Sequence, residues 1–119
     1  MKKLGLFTMG LTLVVIILFS GCTQKADPCD DSGISAIVGQ ATRDKNPSLC
    51  DQIKIQSCKD TCLNYASVNK GDATACPQIQ NQKSRDNCYS NVAVNTQNKA
   101  LCDKIVDNTQ KQICLKGGL

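Results

Sequence analysis

Nine cysteines and no histidine set the chemistry open to this 119-residue chain. Thiols can close into disulfides, hold a soft metal as thiolates, or exchange with another disulfide. Without histidine the commonest general base and the commonest metal ligand are missing. No Cys-x-x-Cys occurs, which weakens both a redox motif and a zinc-knuckle spacing. Cys58-x3-Cys62 does put two sulfurs one helical turn apart, a separation that suits Zn²⁺ or Cu⁺. A thiolate metal site therefore stands as the alternative to structural disulfides. There is no Gly-rich phosphate loop and no pair of acids suited to acid–base work, so no catalytic residue, cofactor or metal ligand is assigned. The aspartates read as helix caps and surface charge. Asp30-Asp31 could touch Ca²⁺ weakly, and reads more simply as a solvated pair.

Six of the cysteines fall into a repeat. Cys50, Cys76 and Cys102 stand 26 residues apart, and so do Cys62, Cys88 and Cys114. Other positions keep the register: Ile53, Ile79 and Ile105; Lys59, Arg85 and Lys111; Leu63, Tyr89 and Leu115; Asn46, Asp72 and Asn98. A fixed period of this size means stacked supersecondary units. β-branched alternation is absent, so the expected fold is all-α: about three stacked helical hairpins plus an N-terminal helix, stapled by disulfides.

The elements that must position the thiols follow from caps and spacing. Asn46, Asp72 and Asn98 are good N-caps, and Pro47 suits a first helical position. A first helix of about eight residues would carry Leu49 or Leu101, the Cys and the Ile on one face. Gln56-Ser57 and Asp107-Asn108 would supply turns, with Ser57, Ser84 and Thr109 capping the second helix. That helix carries Cys62, Leu63, Ala66 and Val68 in unit one, and Cys88, Tyr89, Val92 and Ala93 in unit two. Gly71 and Asn95 are its stop signals. Both cysteines of a unit then lie at similar height on facing antiparallel helices, which predicts Cys50–Cys62, Cys76–Cys88 and Cys102–Cys114. Cys29 and Cys58 remain and would pin the N-terminal segment to unit one. Residues 34–44 look like a lone second helix, with Ala36 at the cysteine position. Each short loop is worth about 3 kcal/mol in the chain-entropy model. Such staples matter in a domain of fewer than 100 residues whose only rings are Tyr65 and Tyr89.

The N-terminus is of a different kind. Lys2 and Lys3 precede an apolar run, Leu4 to Phe19, that ends in Ser20-Gly21-Cys22. Sixteen residues reach about 24 Å as a helix, short of a roughly 30 Å hydrocarbon core. An ordinary secretory signal and an uncleaved anchor are the alternatives. Phe19-Ser20-Gly21-Cys22 resembles a prokaryotic lipoprotein box, with Phe where Leu is more usual. The resemblance implies a signal peptide at 1–21, diacylglycerol on Cys22, a tether at 22–28 and a mature repeat domain at 29–119, anchored on the extracytoplasmic face of the cell membrane. An oxidising compartment fits the eight other cysteines, which form an even set once the lipid takes Cys22. The repeats over 46–116 also resemble Cys-rich repeats of prokaryotic surface proteins, a resemblance that brings no activity with it.

Charge adds little. Without Lys2 and Lys3, twelve Lys and Arg face ten Asp and no Glu, scattered rather than clustered, which does not suggest nucleic acid. The row Lys59, Arg85, Lys111 could meet an acidic partner, or could be a solvated face touching turn carbonyls. The expected role is a small non-enzymatic binding or structural module on a membrane, with a protein or peptide partner. Short hairpin arrays resemble tetratricopeptide-like solenoids in architecture alone, since the period is shorter and the Trp, Gly and Tyr signature is missing.

Overall fold

Asn46, Asp72 and Asn98 each open a short helix by accepting, at Oδ1, the N–H two residues on, at 3.2, 2.9 and 3.2 Å. The computed structural model that shows this describes residues 27–117, so the expected signal peptide, Cys22 and most of the expected tether lie outside the described residues. Four α-helices alternate with three 3-10 helices: α1 (Ser32–Arg43), η1 (Pro47–Gln52), α2 (Gln56–Lys70), η2 (Ala73–Gln78), α3 (Gln82–Thr96), η3 (Lys99–Lys104) and α4 (Asn108–Leu115). The fold is all-α, with no strand among the described residues, and each 3-10/α pair is one hairpin of the 26-residue repeat.

The expected eight-residue first helix is instead a six-residue 3-10 helix. Both span about 12 Å, at rises of about 1.5 and 2.0 Å per residue. The 3-10 hydrogen bonds close over three residues, as where the Leu49 N–H meets the Asn46 carbonyl at 3.2 Å. Ile53, Ile79 and Ile105 then leave in extended backbone and donate their N–H to the cysteine carbonyl at 3.0–3.1 Å. All three isoleucines are buried.

The second helices start earlier than Ser57, Ser84 and Thr109 would have them. Asn81 caps α3 through the Ser84 N–H at 3.0 Å, and Asp107 caps α4 through the Gln110 N–H at 2.8 Å. An Asx oxygen three residues ahead reaches the free donor, so the hydroxyls lie inside the helices. α2 begins after Ile55, which offers no side-chain cap.

Helix ends repeat with the same period. Lys45, Gly71 and Gln97 have positive φ (51°, 69° and 56°), and each directly precedes a capping residue. Gly71 is the stop the sequence predicts. In α3 the stop is Gln97, two residues beyond Asn95, which is still helical. Asn46, Asp72 and Asn98 donate their N–H back to Ala41, Ser67 and Ala93 at 2.9–3.1 Å, closing a Schellman turn. One residue therefore ends the preceding helix with its backbone and starts the next with its side chain.

The core is a ladder of sulfur, aliphatics and one ring: the bridged cysteines other than Cys29, the three isoleucines, Leu63, Val92, Tyr89, and Ala41, Ala66, Ala75 and Ala93. α1 packs on α2, α2 on α3 and α3 on α4, in sequence order. α1 is the lone second helix expected for residues 34–44, with Ala41 fully buried and Ala36 exposed.

Candidate functional site

Three sets of residues that the sequence left open are placed by the fold: the thiols, the aspartates and the basic row. The thiols form four bridges, Cys29–Cys58, Cys50–Cys62, Cys76–Cys88 and Cys102–Cys114. The three equivalent bridges each span 12 residues and share a Cα separation of 5.7 Å, within the range a disulfide needs. Cys58 and Cys62, the pair spaced for a metal, belong to different bridges. Every sulfur that could have served as a thiolate in the described domain is tied up in this way.

The aspartates correct the sequence reading. Asp60 and Asp86 are not surface charges: they are 3% and 1% exposed. Each lies two residues before a cysteine of α2 or α3 and reaches into the following unit. Asp60 accepts the N–H of Gln80 at 3.1 Å and of Asn81 at 3.0 Å, and Gln56 Nε2 donates to it at 2.7 Å. Asp86 accepts the N–H of Val106 at 3.1 Å and of Asp107 at 3.0 Å. No cation pairs with either carboxylate among the described residues. Backbone donors at a helix N-terminus hold the charge instead, where the helix dipole favours an anion. These are coupling devices between units. The signal for them was the spacing of 26 between Asp60 and Asp86, shared by two units while Gln112 stands at the third position and Ile34 in α1.

The basic row divides. Lys59 and Lys111 form ion pairs with Asp51 and Asp103 at 2.6 and 2.9 Å, bracing their own hairpins. Unit two has Pro77 in place of that aspartate, and Arg85 donates to the Ile79 carbonyl at 2.8 Å. Each member of the row is thus engaged within its own hairpin. Asp31 of the acidic pair caps α1 through the Gly33 N–H at 2.9 Å. Asp72 likewise keeps its carboxyl below the ordinary 3.8, chiefly because the Thr74 N–H bonds it, with Lys70 assisting at 3.2 Å.

What remains unengaged is a groove. It runs between α3 and α4 as an open depression of about 600 Å³, edged by Val68 at the end of α2. Asn87, Asn91 and Asn95 lie along its α3 side at i, i+4 and i+8, with Val94 beside them and Gln110 and Ile113 opposite on α4. Val94 and Ile113 are 45% and 42% exposed. Two of the asparagines are already oriented by neighbouring units. Gln110 Nε2 donates to Asn87 Oδ1, and Asn95 Nδ2 donates to the Val68 carbonyl at 2.8 Å. Sequence reasoning missed this face because an asparagine on an exposed helix carries no signal until its partner across the repeat is known. Comparison with protein-family models, with curated proteins and with solved structures finds no match to this chain.

Proposed function

We propose that this chain is an exported lipoprotein, held by lipid on Cys22 at the extracytoplasmic face of the cell membrane, whose helical array works as a non-enzymatic binding module. The observation that carries this reading is the cysteine count. Eight of nine cysteines are paired in four bridges, and the one left over is Cys22, at the point where the sequence resembles a lipoprotein box. Four bridges in so small a domain suit an oxidising compartment. The groove between α3 and α4 supplies a face for binding, lined mainly by amides and aliphatics, with Ser90, Thr109 and Asp107 beside them.

Labelling with a radioactive fatty acid tests the anchor. The unaltered chain is expected to take up label, to begin at Cys22 and to show no free thiol under denaturing conditions. Cys22→Ala is expected to lose the label and leave the membrane fraction. A chain that keeps Met1 and stays with the membrane after Cys22→Ala refutes lipidation. Eight titratable thiols with bound Zn²⁺ or Cu⁺ would refute the disulfide module.

A further inference from the structure

The unit-spanning bonds of Asn87 and Asn95 leave a defined set of groups facing the groove. Asn87 has its oxygen occupied by Gln110 and keeps its NH₂ to donate. Asn95 has a proton committed to Val68 and keeps its oxygen to accept. Asn91, between them, is exposed and its amide bonds to nothing among the described residues. Each step along this row covers four helical residues, about 6 Å. Along an extended polypeptide, peptide units on one side recur every two residues, about 6.7 Å. The two periods nearly coincide over three positions, about 12 Å, the length of about four extended residues.

We infer that the α3–α4 groove binds an extended peptide segment without acidic side chains through its main chain. A side-chain amide carries one N–H face and one C=O face in a plane, so Asn91 can pair with a peptide N–H and C=O at once. Asn87 then donates to a carbonyl on one side, and Asn95 accepts from an N–H on the other. Val94 and Ile113, with Val68 at the edge, line the groove beside the amides and take up small aliphatic side chains. Charge selects against other segments. The only ionisable lining residue is Asp107, whose Oδ1 accepts the Gln110 N–H and whose Oδ2 remains open. An acidic side chain entering here would lose water and meet the like charge of Asp107. A glycan could also use amides, but the lining residues include no aromatic ring to stack on a sugar face. The inference deepens the binding-module reading and rests on it.

The test uses the full chain, disulfides intact, in detergent micelles with ¹⁵N-labelled side-chain amides. The probes are acetyl-Val-Ser-Val-Ser-amide, the same peptide N-methylated at alternate residues, and chitotetraose. The unmodified peptide is expected to give saturable shifts of the Asn87 and Asn91 NH₂ signals. N-methylation should abolish them. Asn91→Ala should raise Kd by at least about fivefold, the loss of one to two neutral hydrogen bonds. Asn91→Asp, which keeps the acceptor and loses the donor, should weaken binding too. Asn91 is exposed, so neither variant should change the fold, and unchanged backbone amide shifts verify this. No shift at about 10 mM peptide, a range that still detects millimolar binding, overturns the inference. So does equal binding of the N-methylated peptide, or preference for chitotetraose. Failure in this assay leaves lipid attachment at Cys22 untouched, and failure of lipid labelling leaves a positive peptide result standing.

Discussion

The first junction of the array and the two that follow are held by opposite means. Between α1 and α2, Ile34 stands where the later helices carry aspartate, Ile55 offers no cap, and Cys29–Cys58 closes the contact covalently. Between α2 and α3, and between α3 and α4, a buried carboxylate takes two backbone N–H groups from the next unit. A disulfide acts mainly by restricting the unfolded chain. A buried carboxylate acts in the folded state, where its loss strands donors that have given up water. Units of one repeat can thus be coupled through either end of the folding equilibrium.

The largest expected effect breaks the first junction. Cys29→Ser with Cys58→Ser opens a loop of separation 29 and should cost about 3–4 kcal/mol in the chain-entropy model, read by urea melting. Hydrogen exchange should rise in α1 first, while α3 and α4 keep their protection. Uniform loss of protection across all four helices would show that the bridge supports the whole array rather than one junction. Adding Ile34→Asp to that variant supplies a carboxylate in register with the Lys54 and Ile55 N–H groups. It should restore about 1 kcal/mol, the net worth of a hydrogen bond or two. No recovery would mean the two devices are not interchangeable at one position.

Breaking the later junctions should cost slightly less. Asp60→Ala leaves three donors without an acceptor and should lose about 3 kcal/mol, against about 2 for Asp86→Ala with two. Gln112→Ala, at the equivalent exposed position, should stay within about 0.5 kcal/mol. Equal costs for all three would refute the coupling role.

The helix stops give a finer contrast. Gly71→Ala forces a Cβ into positive φ, 3.3 Å from Thr96 Cγ2, and should cost about 1–2 kcal/mol. Lys45→Gly and Gln97→Gly should instead stabilise, by about 0.5–1 kcal/mol, since glycine adopts that backbone without strain. Opposite signs in thermal melts are the outcome expected.

The smallest effect is one of pH. Asp72 is an aspartate where units one and three have Asn46 and Asn98. Its carboxyl is held below 3.8, so the stability it adds is complete above that pH and is lost as pH falls through the lowered value. Asp72→Asn keeps the cap bond and should flatten the stability profile slightly below pH 3.8, without moving it near neutrality. An unchanged acid slope would mean that the Thr74 N–H does not favour the ionised form.

Much of this fold was legible in the chain because its determinants are periodic and local. The cysteine spacing carried the hairpins and the pairing, and Asn46, Asp72 and Asn98 carried the caps. The short helices came out as 3-10, a difference the cap residues do not signal, since an Asx cap opens either kind of helix. Asp60 and Asp86 were illegible as junctions because a lone aspartate in a polar helix reads as surface until the donors 20 and 21 residues on are placed beside it. The groove was hidden for the same reason, since Asn95 and Gln110 gain meaning only from Val68 and Asn87 in the units before them.

The order of the bridges along the chain has a kinetic consequence. A polypeptide that emerges N-terminus first and oxidises as it goes joins each cysteine to the next one out. With Cys22 withdrawn by the proposed lipid, that rule yields Cys76–Cys88 and Cys102–Cys114 directly, since each pair is adjacent in the order counted from Cys29. Upstream it yields Cys29–Cys50 and Cys58–Cys62, both wrong, because the native bridges Cys29–Cys58 and Cys50–Cys62 interleave. Maturation is therefore split: the last two units can close unaided, while the first needs either helix formation ahead of oxidation or thiol exchange afterwards.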